Sequence, residues 1–333
     1  MRNIVLVVAA AAALPLAHAA NLGPYATTYS TFTNDAMDRT DKRISVFYPT
    51  DVSVAPATPF KFISYAHGMY GGGVSTVPGY YSIGNDLASF GYVVAFHHSC
   101  SVGCEEDHTS LPDDPKGFGK SPITSRARTP PTPPPHTYPF LLPPAASPAA
   151  SSGHYYLEQL KVIDWIKLQP SSEAMMTHLD LSHGVGVCGH SMGGQSAMFS
   201  SSANSTSHDI RAAVLHHAYT HTFATPSVPF LAFTGDADDT APVQMAVGIY
   251  EGDGGSDVRG IVDRVDATHT EPVVGSYNPL LAKFTAAWFK LFLDGVTTEG
   301  EMDYERILFE DGTDTVCGGG DGKVNDDFCE VVR

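Results

Sequence analysis

Apolar residues in this chain gather into short runs broken by glycine, proline and aspartate, and several breaks lead into stretches with helical spacing. Residues 44–48, 62–66, 92–96, 185–188, 212–215, 228–235 and 258–265 each predict a strand, and Pro49 closes the first. Residues 83–90 predict a short helix stopped by Gly91. Leu157, Leu160, Ile163 and Lys167 recur at helical spacing between Tyr155 and Pro170, and residues 195–199 are compatible with a helix. Residues 279–292 predict a closing amphipathic helix with Trp288 and Phe289 on its apolar side. Helices set between short apolar strands imply an α/β domain with a mostly parallel central sheet and helices on both faces. Residues 21–41 are polar, with few periodic apolar positions, and are expected to drape over the domain before the first strand.

Three segments depart from this pattern. The first twenty residues carry Arg2, an apolar run that stops near Leu16, and Ala17-His18-Ala19, the layout of a secretory signal peptide cleaved after Ala19 or Ala20. No second such run follows, so no stable membrane span is expected. Residues 121–150 hold 10 of the 24 prolines, which rules out a helix or a central strand and predicts an exposed, partly polyproline insertion apart from the chemistry. Residues 97–119 read as loop. The expected division is a leader over 1–20, a catalytic domain over 21–298 that carries the insertion, and an acidic, cysteine-closed tail over 299–333.

Composition narrows the partners. The formal charge of −17 becomes −18 once Arg2 leaves with the leader, which excludes nucleic acid and anionic membrane surfaces. Five cysteines suit an oxidising compartment if four are paired. Their spacing predicts Cys100–Cys104 and Cys317–Cys329 bonds and leaves Cys188, inside a predicted strand, as a buried thiol.

The candidate chemistry starts at 185–194, VGVCGHSMGG. A strand turning sharply into a helix with Ser191 at the apex is the G-x-S-x-G nucleophile elbow, whose small residues allow a strained, close-packed turn. There the Met192 N–H, at a helix N-terminus, would face the charge that develops on a carbonyl oxygen. A serine needs a base, and in this layout the acid and then the histidine follow the serine in the chain. The loop GDADDTAPV at 235–243 offers Asp236, Asp238 and Asp239. Asp238 is favoured, with Asp239 as its rival. His269 follows the last predicted strand, and no other histidine lies beyond His221. The second oxyanion donor is expected from the loop after 62–66, best from the Met69 N–H, with Tyr70, Met69 and Met192 as an apolar substrate wall. This chemistry calls for no cofactor and no metal.

Two other classes compete. A metal hydrolase would draw on His67, His97, His98, His216, His217 and the aspartates, but no H-E-x-x-H or similar ligand spacing occurs. A non-catalytic binding protein of the same fold would be free to lose the serine, acid or histidine, and all are present. Two lesser signals are the glycosylation sequon at Asn204 and the oxygen-rich tail at 311–327, which resembles a calcium loop without EF-hand spacing.

GHSMGG at 189–194, HGMYGG at 67–72, GDADDTAP at 235–242 and the late His269 resemble one group of α/β-hydrolases. That group holds the cutinase-like polyester hydrolases, dienelactone-hydrolase-like esterases, platelet-activating-factor acetylhydrolases and chlorophyllases. The resemblance spans residues 45–293 apart from the insertion. It implies a secreted serine carboxylic ester hydrolase acting on small or polymeric hydrophobic esters. Polyester hydrolases share GHSMGG but carry a proline and an aromatic where this chain has His67 and Met69. Chlorophyllases carry an arginine at the position of Met192 and are similar in the His67-Gly68 loop and in SFGYVV at 89–94. A polyesterase, a chlorophyllase-like enzyme releasing phytol and a lipid esterase all remain open at this point.

Overall fold

Strands buried on both faces must be apolar throughout, and the central runs of this chain meet that condition: Phe62, Ile63, Val93, Val94, Val187 and Val214 are fully buried. A computed structural model describes residues 22–37, 41–50, 56, 58–68, 77–98, 155–310, 312, 314–318 and 324–333. The leader, the proline-rich insertion and the Cys100–Cys104 pair lie outside the described residues.

Among those residues the strands of the main sheet are β1 (Thr27–Thr33), β2 (Arg43–Pro49), β3 (Lys61–Ala66), β4 (Tyr92–His97), β5 (Val185–His190), β6 (Ile210–His216), β7 (Phe230–Gly235), β8 (Arg259–Arg264) and β9 (Val324–Val332). They form one sheet in the order β1-β2-β4-β3-β5-β6-β7-β8-β9. The block from β4 to β8 is parallel, and the outer pairings of β1 with β2, β2 with β4 and β9 with β8 are antiparallel. Successive residues serve opposite faces. Val94, Cys188 and Val214 pack under α1 (Tyr81–Ser89) and α5 (Pro279–Phe289), where Ile83, Leu87, Leu281 and Trp288 are buried. Val93, Val187 and Ala213 pack under α2 (Tyr155–Lys167), α3 (Met192–Ala203) and α4 (Val243–Tyr250). This is the α/β-hydrolase architecture, a mostly parallel sheet with helices on both faces.

Helix ends follow local chemistry. Gly91 adopts φ +95° just past α1. Asn278 accepts the Leu280 N–H, and Pro279 opens α5. The chain leaves α5 through a π-helical turn, Lys290–Asp294, that ends at Gly295 with φ +70°.

Two expectations are corrected. Residues 27–33 do not drape over the domain. They form β1, in register with β2 from Thr27 opposite Pro49 to Thr33 opposite Arg43. Their side chains are mostly polar because the strand lies at the sheet edge, and Tyr29 stacks on Phe47 with centroids 5.3 Å apart. The tail likewise continues the domain. A further helix, α6 (Tyr304–Phe309), buries Tyr304, Ile307 and Leu308 in the core, and β9 extends the sheet beside β8 with a break in register between Val324 and Cys329. The Cys317–Cys329 bond is formed, and Cys188 is free and buried.

Candidate active site

β5 ends at His190 and α3 begins at Met192, which leaves Ser191 as a one-residue apex. Its φ of 58° and ψ of −121° are strained for a residue with a side chain. Close approach enforces the flanking glycines. A Cβ on Gly189 would lie 2.1 Å from the Gly193 carbonyl oxygen, and one on Gly193 would lie 2.0 Å from that of Ala66. The apex is also pinned to the end of β6, since the Ser191 N–H donates to the His216 carbonyl at 3.0 Å and the Tyr219 N–H donates to that of Ser191 at 3.0 Å.

Loops after β7 and β8 deliver the other groups. His269 Nε2 lies 2.8 Å from Ser191 Oγ, and His269 Nδ1 lies 2.8 Å from Asp238 Oδ2. The turn after β7 holds the acid still, because the Thr240 and Ala241 N–H groups donate to Asp238 Oδ1 at 2.9 and 2.7 Å. Burial pushes the Asp238 carboxyl up, but the hydrogen bonds from His217, His269 and the backbone outweigh it and keep its pKa below the ordinary carboxylate value. The neighbouring aspartates differ in kind. Asp239 is exposed, and Asp236 Oδ1 accepts the Asp266 N–H at 2.7 Å, tying the two loops together.

A second histidine reaches the same carboxylate. His217, one residue past β6 at φ +46°, places Nδ1 3.0 Å from Asp238 Oδ2 and Nε2 3.1 Å from Glu271 Oε2. Glu271 Oε1 in turn accepts from Arg264 Nε at 2.9 Å and Asn278 Nδ2 at 2.8 Å. Sequence reasoning placed His217 only in a rival metal set and passed over Glu271. The available signal was the position of each, immediately after a strand and two residues beyond His269.

A third set joins the serine to the loop after β3. His190 Nε2 donates to the His269 carbonyl at 2.6 Å, so its Nδ1 accepts the Tyr80 hydroxyl proton at 2.8 Å. Tyr80 Oη accepts the Gly68 N–H at 2.9 Å. Burial, then the charges of His269 and His217, push the His190 pKa well below 6.5, which keeps this ring neutral. A Cβ on Gly68 would lie 3.1 Å from that of Ser191, so the backbone passes close beside the serine. Met69 and Tyr70 follow directly and lie outside the described residues. Met192, 8% exposed, packs with Ala66 and the partly buried Tyr219.

The histidines of the metal-hydrolase rival are dispersed. His67 lies tilted beside His97 with centroids 5.1 Å apart, His98 bonds Ser45 at 2.9 Å, and His216 sits between Tyr65 and Thr285 at 3.0 and 2.9 Å. Among the described residues, the group able to share an ion is His217, Asp238 and His269, with ligand atoms within 4.8 Å of one another. There, however, both rings already engage Asp238 Oδ2 at hydrogen-bond length.

A strained serine between the strand and helix of this sheet, with a histidine and an aspartate in line behind it, defines the class as α/β-hydrolase. Residues 151–311 match the family model for PETase, PET hydrolase-like proteins, and that match supports a serine esterase of the cutinase-like polyester hydrolase type, acting on hydrophobic esters. No curated protein matches it. No helix among the described residues is long and apolar enough to cross a membrane.

Proposed function

We propose that Ser191 is the nucleophile, His269 the general base and Asp238 the acid of a two-step ester hydrolysis. The observation that carries this reading is the unbroken hydrogen-bonded run from Ser191 Oγ through His269 to Asp238. His269 Nε2 takes the Ser191 proton as Oγ attacks the ester carbonyl, and the imidazolium so formed lies against the Asp238 carboxylate. The tetrahedral oxyanion is received by the N–H groups of Met192 and Met69, which fits the close passage of the Gly68 backbone. Collapse passes the proton from His269 to the departing alcohol and leaves an acyl-Ser191 ester. Water, deprotonated by His269, then releases the carboxylic acid.

Substrate preference is read from the surroundings of the serine. Met192 beside Tyr219, together with Met69 and Tyr70, would make an apolar, adaptable wall suited to esters with a bulky hydrophobic part. The family match favours an aromatic polyester over chlorophyll or an acetylated phospholipid. The disulfide is consistent with an oxidising setting, and with the leader over 1–20 it supports secretion.

The test is hydrolysis of 4-nitrophenyl esters, chlorophyll, an acetylated phospholipid and an aromatic polyester film by the mature protein and its Ser191→Ala variant. Soluble aromatic acid from the film is expected from the first, with about a 10⁵-fold or greater loss in the second. Phytol release above all else would move the enzyme to the chlorophyllase branch. A folded Ser191→Ala protein that kept its activity would end the serine assignment.

A further inference from the structure

His217 has no task in the scheme above, yet it is completely buried and contacts the acid directly. Both its ring nitrogens face carboxylate oxygens, Asp238 Oδ2 at 3.0 Å and Glu271 Oε2 at 3.1 Å. An ionised carboxylate only accepts, and a neutral imidazole has a single N–H. A neutral ring would therefore press one nitrogen lone pair against an oxygen lone pair, whereas the imidazolium satisfies both contacts. Glu271 is balanced from its far side by Arg264. The buried charges thus alternate along the row Asp238, His217, Glu271 and Arg264.

We propose that His217 is a positioning residue for this hydrolase: as an imidazolium clamped between Asp238 and Glu271, it fixes Asp238 Oδ2 against His269 and sets the acid limb of the pH profile. The inference rests on the triad reading. Burial alone would push the His217 pKa down, but the hydrogen bonds and charges of Asp238 and Glu271 reverse this and raise it. Besides those two carboxylates, the groups that face the ring are His269 and His190, with centroids 6.3 and 6.4 Å away, and Arg264 through Glu271. His216, the preceding residue, stays neutral because burial and the His217 charge push it down to about 3. The left-handed backbone at His217 is what separates the two adjacent rings, sending one to Tyr65 and Thr285 and the other to the acid.

The sign follows from the charges. Part of the Asp238 charge is offset by His217, so a cation forming on His269 meets a weaker field than a lone carboxylate would supply. Removing the His217 charge leaves two carboxylates facing one arginine. The base then stays protonated to higher pH, and the acid limb of kcat/KM moves up. One charge at the 6.3 Å ring separation corresponds to about one to two pH units at an effective dielectric of roughly 20 to 40. Removing the Glu271 charge has the opposite effect and moves the limb down. A group that served packing alone would lower rate or stability without moving the limb in opposite directions.

The experiment records kcat/KM against pH on 4-nitrophenyl acetate for the wild type, His217→Gln and Glu271→Gln, with folding checked by circular dichroism. It is paired with nitrogen NMR of the His217 ring in the wild type. Expected are an acid limb shifted up in His217→Gln, shifted down in Glu271→Gln, and a doubly protonated His217 at neutral pH. Acid limbs unmoved in folded variants, or a neutral His217 ring at neutral pH, would overturn the proposal. The NMR result decides the matter if either variant does not fold. The Ser191→Ala variant separates the two readings. Retained hydrolysis there would sink the triad, whereas an unmoved limb with an inactive Ser191→Ala would sink only the role of His217.

Discussion

Asp238, in the turn after β7, and Asp294, in the π-helical turn after α5, both have side chains sealed from water beside a nitrogen base. Four donors reach Asp238, two backbone N–H groups on Oδ1 and two imidazoles on Oδ2. Asp294 has less. Its Oδ2 accepts from the Tyr92 hydroxyl at 3.2 Å and lies 3.4 Å from Lys290 Nζ, and its Oδ1 has no partner among the described residues. Lys290 is moreover drawn to Glu299 at 3.0 Å. Burial pushes the Asp294 carboxyl up to about 6, whereas the hydrogen bonds around Asp238 hold it below the ordinary value. The number and aim of donors, more than a neighbouring cation, decides whether a buried carboxylate keeps its charge. The proposed base, His269, needs a charged partner, and the ordered turn after β7 supplies the donors that keep one.

The contrast breaks most sharply at Asp238. Asp238→Asn keeps the shape of the acid but loses its charge and can hold the wrong tautomer of His269, so kcat should fall by roughly 10³ to 10⁴-fold. Asp239→Asn, at an exposed carboxylate, should stay close to wild type. Steady-state kinetics of the two folded variants decide between them. An inactive Asp239→Asn with a near-normal Asp238→Asn would reverse the assignment of the acid.

Much of this was legible in the sequence because it obeys spacing. The elbow is a local pattern, and Asp238 and His269 follow from chain order once the strands are marked. His217 was only half legible: its place just after a strand marked it, but the His216-His217 pair offers two identical side chains and the backbone at φ +46° determines which one meets the acid. Glu271 and Arg264 escaped for a related reason, since a buried charge reads like a surface charge until its partner is known. Tyr80 lies 110 residues from His190, a pairing that no local pattern carries. β1 was missed because an edge strand is held by backbone pairing to β2 and needs little apolar content. β9 was missed because its acidic residues and Cys329 obscured its alternation.

The tail is braced by a different means, a covalent bond where the two carboxylates rely on donors. Cys317 and Cys329 are 12 residues apart, and a loop of that size restricts the unfolded chain by about 3 kcal/mol or less. A Cys317→Ser/Cys329→Ser double variant should lose that much in urea unfolding. Because Ser191, His269 and Asp238 draw no hydrogen bond from the described residues of 299–333, its kcat/KM should hold. A collapse of activity at constant fold would mean that the edge strand supports the site as well as the sheet.

The smallest effect tests the other half of the comparison. With a folded pKa of about 6 against an ordinary 3.8, Asp294 binds a proton in the folded state over a pH range where the unfolded chain has released it. Its contribution to stability is therefore fully present below about pH 4 and is lost as the pH rises through about 6. Asp238 and Glu271, held low, contribute in the opposite sense, losing their share as the pH falls, but they are common to both proteins and cancel in a difference. Asp294→Asn removes the titration and keeps the shape, while Lys290 retains Glu299. The variant should thus gain on the wild type as the pH rises from 5 to 8, by on the order of 1 to 3 kcal/mol in urea midpoints. A difference that did not change with pH would mean that Asp294 is ionised throughout, and the few donors around it would then suffice to hold a buried charge.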